Sequence, residues 1–133
     1  MTIHFVCRGN THRSRLAEAY AKSLVQDNPT FHIISSGIEA ARNLNGSIMP
    51  FVKHLLEEND LLRFTGPTWT QTTQKLVDDS NVIIFMNDDV YKDASKFLKI
   101  PSEKSQIWQI PDAQGAFRQI KLDVNMLLKQ LNI

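Results

Sequence analysis

Apolar positions along this chain follow two periods, and the changes between them mark its elements. Ile3-His4-Phe5-Val6 reads as a strand. Ser14 to about Gln26 reads as a helix, with Leu16, Ala19, Tyr20 and Leu24 along one side, and Asp27-Asn28-Pro29 then turns the chain. Phe31–Ser35 predicts a second strand, ended by Ser36-Gly37. Ser47 to about Glu58 predicts a helix with an apolar stripe of Ile48, Phe51, Val52, Leu55 and Leu56. Gly66-Pro67 breaks the chain, and Thr70–Asp79 predicts a short helix. Val82–Met86 is a continuous apolar run, as expected of a strand covered on both faces. Asp88 to about Leu98 predicts a helix and Ser105–Gln109 a last, shorter strand. A closing helix from about Gly115 to Leu131 carries Ile120, Val124, Leu127, Leu128 and Leu131.

Strands alternating with helices predict an α/β fold, a four-stranded parallel sheet, doubly wound with helices on both faces. Its 133 residues suit a single domain over 1–133. Repeats, linkers and low-complexity stretches are absent from the sequence. In such sheets ligands bind beyond the carboxyl ends of the strands. Cys7 and Asp112 both follow strands, so both are expected at that edge.

Charge and cysteine usage narrow the classes. The formal net charge is +1, so no global basic field points to nucleic acid. Positive charge is local: Arg8, His12, Arg13 and Arg15 crowd one loop and helix start. Arg15 opposes the helix dipole there. A dianion bound nearby would offset that cost; the other reading is a solvated surface arginine. A single cysteine excludes an internal disulfide and a multi-cysteine zinc site. No segment is apolar enough for a membrane span or a signal peptide. A soluble, cytoplasmic protein is the expectation, with no membrane partner. No distinctive patch speaks for an oligomeric state. His4, His32 and His54 lack ligand-like spacing and read as structural or solvated, and no metal or other cofactor is called for.

The candidate chemistry lies at the end of the first strand, in Cys7-Arg8-Gly9-Asn10-Thr11-His12-Arg13-Ser14. The thiolate is the nucleophilic form of cysteine, and a helix N-terminus beside an arginine favours it. Amides converging in such a loop cradle a phosphate-like anion. Arg13 can grip two phosphate oxygens with its planar fork. Gly9 frees the backbone, and Asn10 tolerates left-handed dihedrals. Ser14 is placed either to cap the helix or to donate to the thiolate.

The run Cys7-x-Gly9-Asn10-x-x-Arg13-Ser14, after an apolar strand and before Leu16-Ala17-Glu18-Ala19, resembles the low-molecular-weight protein tyrosine phosphatase family, whose loop reads V-C-x-G-N-x-C-R-S-P. The resemblance implies a phosphatase acting on a phosphorylated protein or small phosphoester through a phosphocysteine. It implies Cys7, Arg13 and Asp112 as catalytic residues, and Arg8, Gly9, Asn10, Thr11, His12 and Ser14 as substrate-binding residues. Asp112, after Ile107–Pro111, falls where the family carries its proton-donating Asp, with Ala113 and Gln114 in place of the usual Pro and aromatic. Ser35-Ser36-Gly37 resembles the family's S-A-G. Asn87 stands where an Asp usually follows the third strand. Asn43-Leu44-Asn45-Gly46 lacks the aromatic that many members set against the substrate ring. The family's loop-supporting histidine is missing near Pro67, with Trp69 close by. His12 replaces a second cysteine; it would donate to bound phosphate or sit half-exposed and uncharged. Trp69 or Phe117 would either supply an aromatic wall or serve packing.

Other functions remain open on these residues. Thr11 matches relatives acting on phosphoarginine. The altered acid loop suits a non-catalytic phosphate-binding module. Arsenate reduction on the thioredoxin-coupled route needs further cysteines, which the chain lacks. An inert, buried Cys7 in a structural domain completes the set.

Overall fold

The computed structural model describes residues 1–42 and 48–132. Its regular elements run β1 (Thr2–Cys7), α1 (Arg13–Val25), β2 (His32–Gly37), α2 (Pro50–Glu58), α3 (Gln74–Asp79), β3 (Val82–Phe85), α4 (Asp88–Phe97), β4 (Ser105–Ile107) and α5 (Ala116–Gln130). The strands form one four-stranded sheet, order β2-β1-β3-β4, with every pairing parallel.

β1 is central, and its alternating side chains feed two cores. Ile3, Phe5 and Cys7 face the side built from α1, α2 and α5, where Leu16, Val52, Leu56, Ile120, Val124 and Leu127 are buried with them. Val6 faces the other side, with Ile83 and Phe85 of β3, Val77 of α3, and Val90 and Ala94 of α4. Helices thus cover both faces, as the apolar runs of β1 and β3 predict.

Strand β2, expected to end at Ser35, runs on to Gly37, β4 ends at Ile107 rather than Gln109, and two helices start later than the sequence pattern places them. The helix expected from Thr70 starts at Gln74, because Thr73 caps it: the Thr73 hydroxyl oxygen accepts the Leu76 N–H at 3.2 Å. The residues before it run along the end of β2 instead. Gly37 N–H donates to Thr70 O at 2.9 Å, and Thr72 N–H to Gly37 O at 3.0 Å. The helix expected from Ser47 begins at Pro50, where proline's missing N–H costs nothing. Ser47 itself, with Asn43, Leu44, Asn45 and Gly46, lies outside the described residues.

β4 ends at Ile107, yet the chain stays tied to the sheet beyond it. Trp108 N–H donates to Phe85 O at 2.8 Å and Ile110 N–H to Met86 O at 2.9 Å. This tether delivers Asp112 to the carboxyl edge, where Cys7 ends β1.

Candidate active site

The loop between β1 and α1 is built around Asn10. Its φ of 54° is left-handed, which asparagine accepts more readily than most residues. That geometry turns the Asn10 N–H onto Cys7 Sγ at 3.2 Å. The side chain lies beneath the loop, 1% exposed. Its Nδ2 donates to Ser14 Oγ at 2.7 Å and to Ser35 Oγ at 3.0 Å, while Oδ1 accepts from Thr70 N–H at 2.8 Å. Ser14 Oγ in turn sits 2.9 Å from Cys7 Sγ. The Ser35 hydroxyl donates to Glu18 Oε1 at 2.8 Å.

Backbone braces the loop from outside. Ile38 N–H donates to Cys7 O at 3.0 Å and Glu39 N–H to Arg8 O at 2.8 Å. Gly37 lies directly against it: a Cβ there would stand 2.6 Å from Arg8 O and 2.7 Å from Asn10 N. No side chain larger than hydrogen fits that approach.

Arg15 is neither a solvated arginine nor an anion ligand. It is 1% exposed, and its guanidinium donates to Thr65 Oγ1 at 2.8 Å, to Asn10 O at 3.2 Å and to Gly66 O. Burial holds its pKa below the usual value, against the pull of Glu18 and Cys7. It ties the loop between β1 and α1 to the segment after the helical turn Leu62–Phe64.

Above the loop opens a pocket of about 330 Å³ lined by Cys7, Arg8, Gly9, Thr11, His12, Arg13, Glu39, Arg42, Met49 and Asp112. Arg13 is buried and donates from Nη1 to Ile110 O at 3.2 Å; its Nε lies 3.9 Å from Asp112 Oδ1. His12 is 4% exposed, so the half-exposed reading is wrong. Its Nδ1 lies 3.0 Å from Asp112 Oδ1, and its ring meets Phe51 edge-to-face at 4.8 Å between centroids. Burial lowers the His12 pKa, Asp112 pulls it up by hydrogen bond and charge, and Arg13 pushes it down. Arg8 reaches the rim already engaged, 2.9 Å from Asp93 and 3.5 Å from Glu39. Arg8 and Lys96 together hold the Asp93 carboxyl below its usual pKa.

The structure therefore brings Cys7, Arg13 and Asp112 to one pocket, with Arg8, Gly9, Thr11 and His12 on its walls. Asn10 and Ser14 are not on that lining. They lie beneath it, and Ser14 contacts the sulfur rather than capping α1. The support expected of a histidine comes from Thr70 N–H and Arg15. Phe117 is buried against Tyr20 and Lys121, a packing role. Trp69 does not line the pocket. Glu18, Glu39, Arg42, Met49 and Phe51 take part in the site without having been expected there. Glu18 alone left a signal in the sequence, as a carboxylate one helical turn after Ser14. Among the described residues no group of three or more His, Cys, Asp or Glu is placed to hold a metal, and no helix is long and apolar enough to cross a membrane.

Comparison with known proteins extends these observations to the whole chain. The profile of a family described as low molecular weight phosphotyrosine protein phosphatase matches residues 2–126. An arsenate reductase of Staphylococcus epidermidis is 26% identical over 114 residues, spanning 86% of this chain and 79% of the relative. A low molecular weight protein tyrosine phosphatase from Streptococcus pyogenes has the same fold, with a TM-score of 0.83 at 21% identity, covering 98% of this chain and 92% of its own. One from Bacillus subtilis gives 0.76 at 23% identity, covering 99% and 95%.

Proposed function

Because the chain belongs to the low molecular weight phosphotyrosine protein phosphatase family, a family of cysteine-dependent phosphatases, we propose that it hydrolyses a phosphomonoester with Cys7 as nucleophile, Arg13 as phosphate clamp and Asp112 as acid and base. The observation that carries this reading is the sulfur environment. Cys7 Sγ is met by the Asn10 N–H and lies 2.9 Å from the Ser14 hydroxyl, at the base of a pocket holding Arg13 and Asp112. Donors aimed at sulfur stabilise it both as a thiolate and as the group displaced later.

In the first half-reaction the thiolate attacks phosphorus in line. Arg13 and the loop backbone hold the equatorial oxygens as charge redistributes. Asp112 protonates the departing oxygen. In the second, Asp112 takes a proton from water, whose oxygen attacks phosphorus, and the S–P electron pair returns to Cys7. Phosphate leaves, and no metal enters the scheme.

The substrate is a phosphorylated protein or small phosphoester. Among the described residues the pocket lining contains no aromatic phenyl, phenol or indole ring, which weighs against a slot shaped for a flat phenol. A second reading, phosphoarginine hydrolysis, is favoured by Thr11 on the pocket wall. Arsenate reduction by a disulfide relay within the chain does not carry over from the relatives, because Cys7 is the only cysteine; an external thiol would have to substitute. A reducing compartment, the cytoplasm, suits a catalytic thiol.

Hydrolysis of p-nitrophenyl phosphate without added metal tests the core of the proposal. Wild type turns over. Cys7→Ser loses turnover while still binding phosphate, and Asp112→Asn falls on the order of 10²–10⁴-fold. Retained activity in Cys7→Ser overturns the mechanism. Phosphate binding without turnover in the wild type returns the chain to a binding module. Parallel assays on phosphotyrosine peptides and phosphoarginine then decide between the two substrate classes.

A further inference from the structure

Packing alone does not account for a histidine at position 12. The ring is 4% exposed and lies edge-to-face with Phe51 of α2. Its Nε2 is buried without a hydrogen-bond partner among the described residues. A buried polar atom left unpaired is unfavourable, and an apolar residue of similar size would avoid it. What the imidazole gains is at its other nitrogen, 3.0 Å from Asp112 Oδ1.

The proton on that bond follows from chemistry. A carboxylate oxygen only accepts, so neutral His12 carries its hydrogen on Nδ1 and donates to Oδ1. Arg13 Nε, at 3.9 Å, also approaches Oδ1. Both contacts therefore fall on one oxygen of a side chain that is otherwise 70% exposed. The ring cannot swing away easily. Phe51 backs it, and the start of α2 is pinned to the loop by Met49 N–H on Thr11 O at 3.1 Å.

We propose that His12 is the positioning residue of the acid: its Nδ1–H holds Oδ1 of Asp112 through both half-reactions and leaves Oδ2 to carry the proton. This rests on the phosphatase reading above. When Asp112 is protonated the hydrogen sits on Oδ2, and Oδ1, now the carbonyl oxygen, still accepts from Nδ1–H. As P–O breaks and S–P forms, the Oδ2 proton passes to the leaving oxygen. When water attacks, its proton returns to Oδ2 while the S–P pair goes back to sulfur. The same His12 tautomer serves throughout, so the buried Nε2 never has to exchange a proton.

A leaving-group series separates positioning from structure. A well-placed acid makes kcat/KM insensitive to leaving-group basicity; a misplaced one penalises poor leaving groups most. For His12→Leu, phenyl phosphate is expected to lose on the order of 10- to 100-fold in kcat/KM, and p-nitrophenyl phosphate distinctly less. His12→Asn places an amide N–H where Nδ1 stood and restores the shallow dependence. His12→Gln, whose amide reaches the Nε2 position, does not. Thermal melts establish that each variant is folded. Cys7-dependent turnover in wild type, with a steepened dependence in Asp112→Asn, shows that the underlying mechanism holds. With that in hand, a His12→Leu dependence as shallow as wild type, or equal rescue by Asn and Gln, overturns the role of His12 alone. A wild type without Cys7-dependent turnover overturns both.

Discussion

His4 gives this protein a built-in acid sensitivity whose size follows from its contacts. The side chain is fully buried on β1, between Ser80 Oγ at 3.1 Å from Nδ1 and Ser36 Oγ at 2.6 Å from Nε2. The Ser80 hydroxyl donates to Leu76 O at 2.6 Å, so its oxygen is left to accept from Nδ1–H. Nε2 is then the acceptor of the Ser36 proton, and Ser36 Oγ accepts from Thr72 Oγ1, 2.6 Å away. Every member is satisfied only while His4 is neutral. Burial accordingly lowers its pKa from 6.5 to about 4. The unfolded chain takes up the proton first, so stability is full above pH 6.5 and is lost as pH falls through that window towards 4. At about 1.4 kcal/mol per pKa unit, the loss from this one group is about 3 kcal/mol. That is a large share of the ~5–15 kcal/mol that holds a domain together. Urea unfolding of wild type and His4→Gln at a series of pH values from neutral to acid reads it directly. Gln keeps polar groups at the site but cannot titrate, so the stability difference between the two proteins should move by about 3 kcal/mol across the window. A difference that stays flat would refute the assignment, as would an imidazole NMR signal for His4 that titrates near pH 6.5.

Two further substitutions probe what holds the loop. Gly37→Ala puts a methyl 2.6–2.8 Å from backbone atoms of Arg8, Gly9 and Asn10, none of which can rotate away. It should cost about 1–3 kcal/mol in urea unfolding and, by shifting the sulfur's surroundings, on the order of 100-fold in kcat/KM. Wild-type kinetics in Gly37→Ala would show that the loop tolerates the displacement. Arg15→Met leaves Asn10 O, Gly66 O and Thr65 Oγ1 without their buried donor. A loss of at least about 2 kcal/mol is expected in the same assay, and an unchanged urea midpoint would argue that water replaces the guanidinium.

The fold was legible because its signals are redundant. Val82–Met86 is a continuous apolar run typical of a strand covered on both sides, and α5 carries its stripe from Ile120 to Leu128. The residues the sequence did not disclose act at long range. Arg15 meets Thr65 and Gly66 some fifty positions away, and no local pattern separates such an arginine from a solvated one. The start of α3 departs from the local pattern for a related reason: Thr70 to Thr72 pair with Gly37, a tertiary contact that overrides local helix preference. Within the site, strand ends alone place Cys7 and Asp112 at one edge of the sheet; their roles, and that of Arg13, are what the family resemblance implies, and the structure brings the three to one pocket. Ser14 meets the sulfur, one of the two placements its sequence position allows, but neither Asn10 nor Ser14 lines the pocket as the resemblance implies, since sequence spacing does not distinguish the lining of a loop from its underside.

That underside explains how the site manages without a supporting histidine. The amide of Asn10 has to point its Nδ2 towards the serines, and Thr70 N–H on Oδ1 is what fixes that orientation, because a flipped amide would set two donors against each other. Once fixed, Nδ2 supplies two protons in two directions. One goes to Ser35 Oγ, whose own hydrogen is taken by Glu18 Oε1. The other goes to Ser14 Oγ, whose hydrogen is thereby left for Cys7 Sγ. Glu18, also held by Lys22 at 3.0 Å, stands at one end; Cys7 Sγ stands at the other. A single amide between them serves both as a source of donors, and the peptide N–H that aligns it comes from a segment anchored on Gly37. The chemistry of the loop therefore depends on the backbone course of residues 70–72 as much as on the motif that announces it.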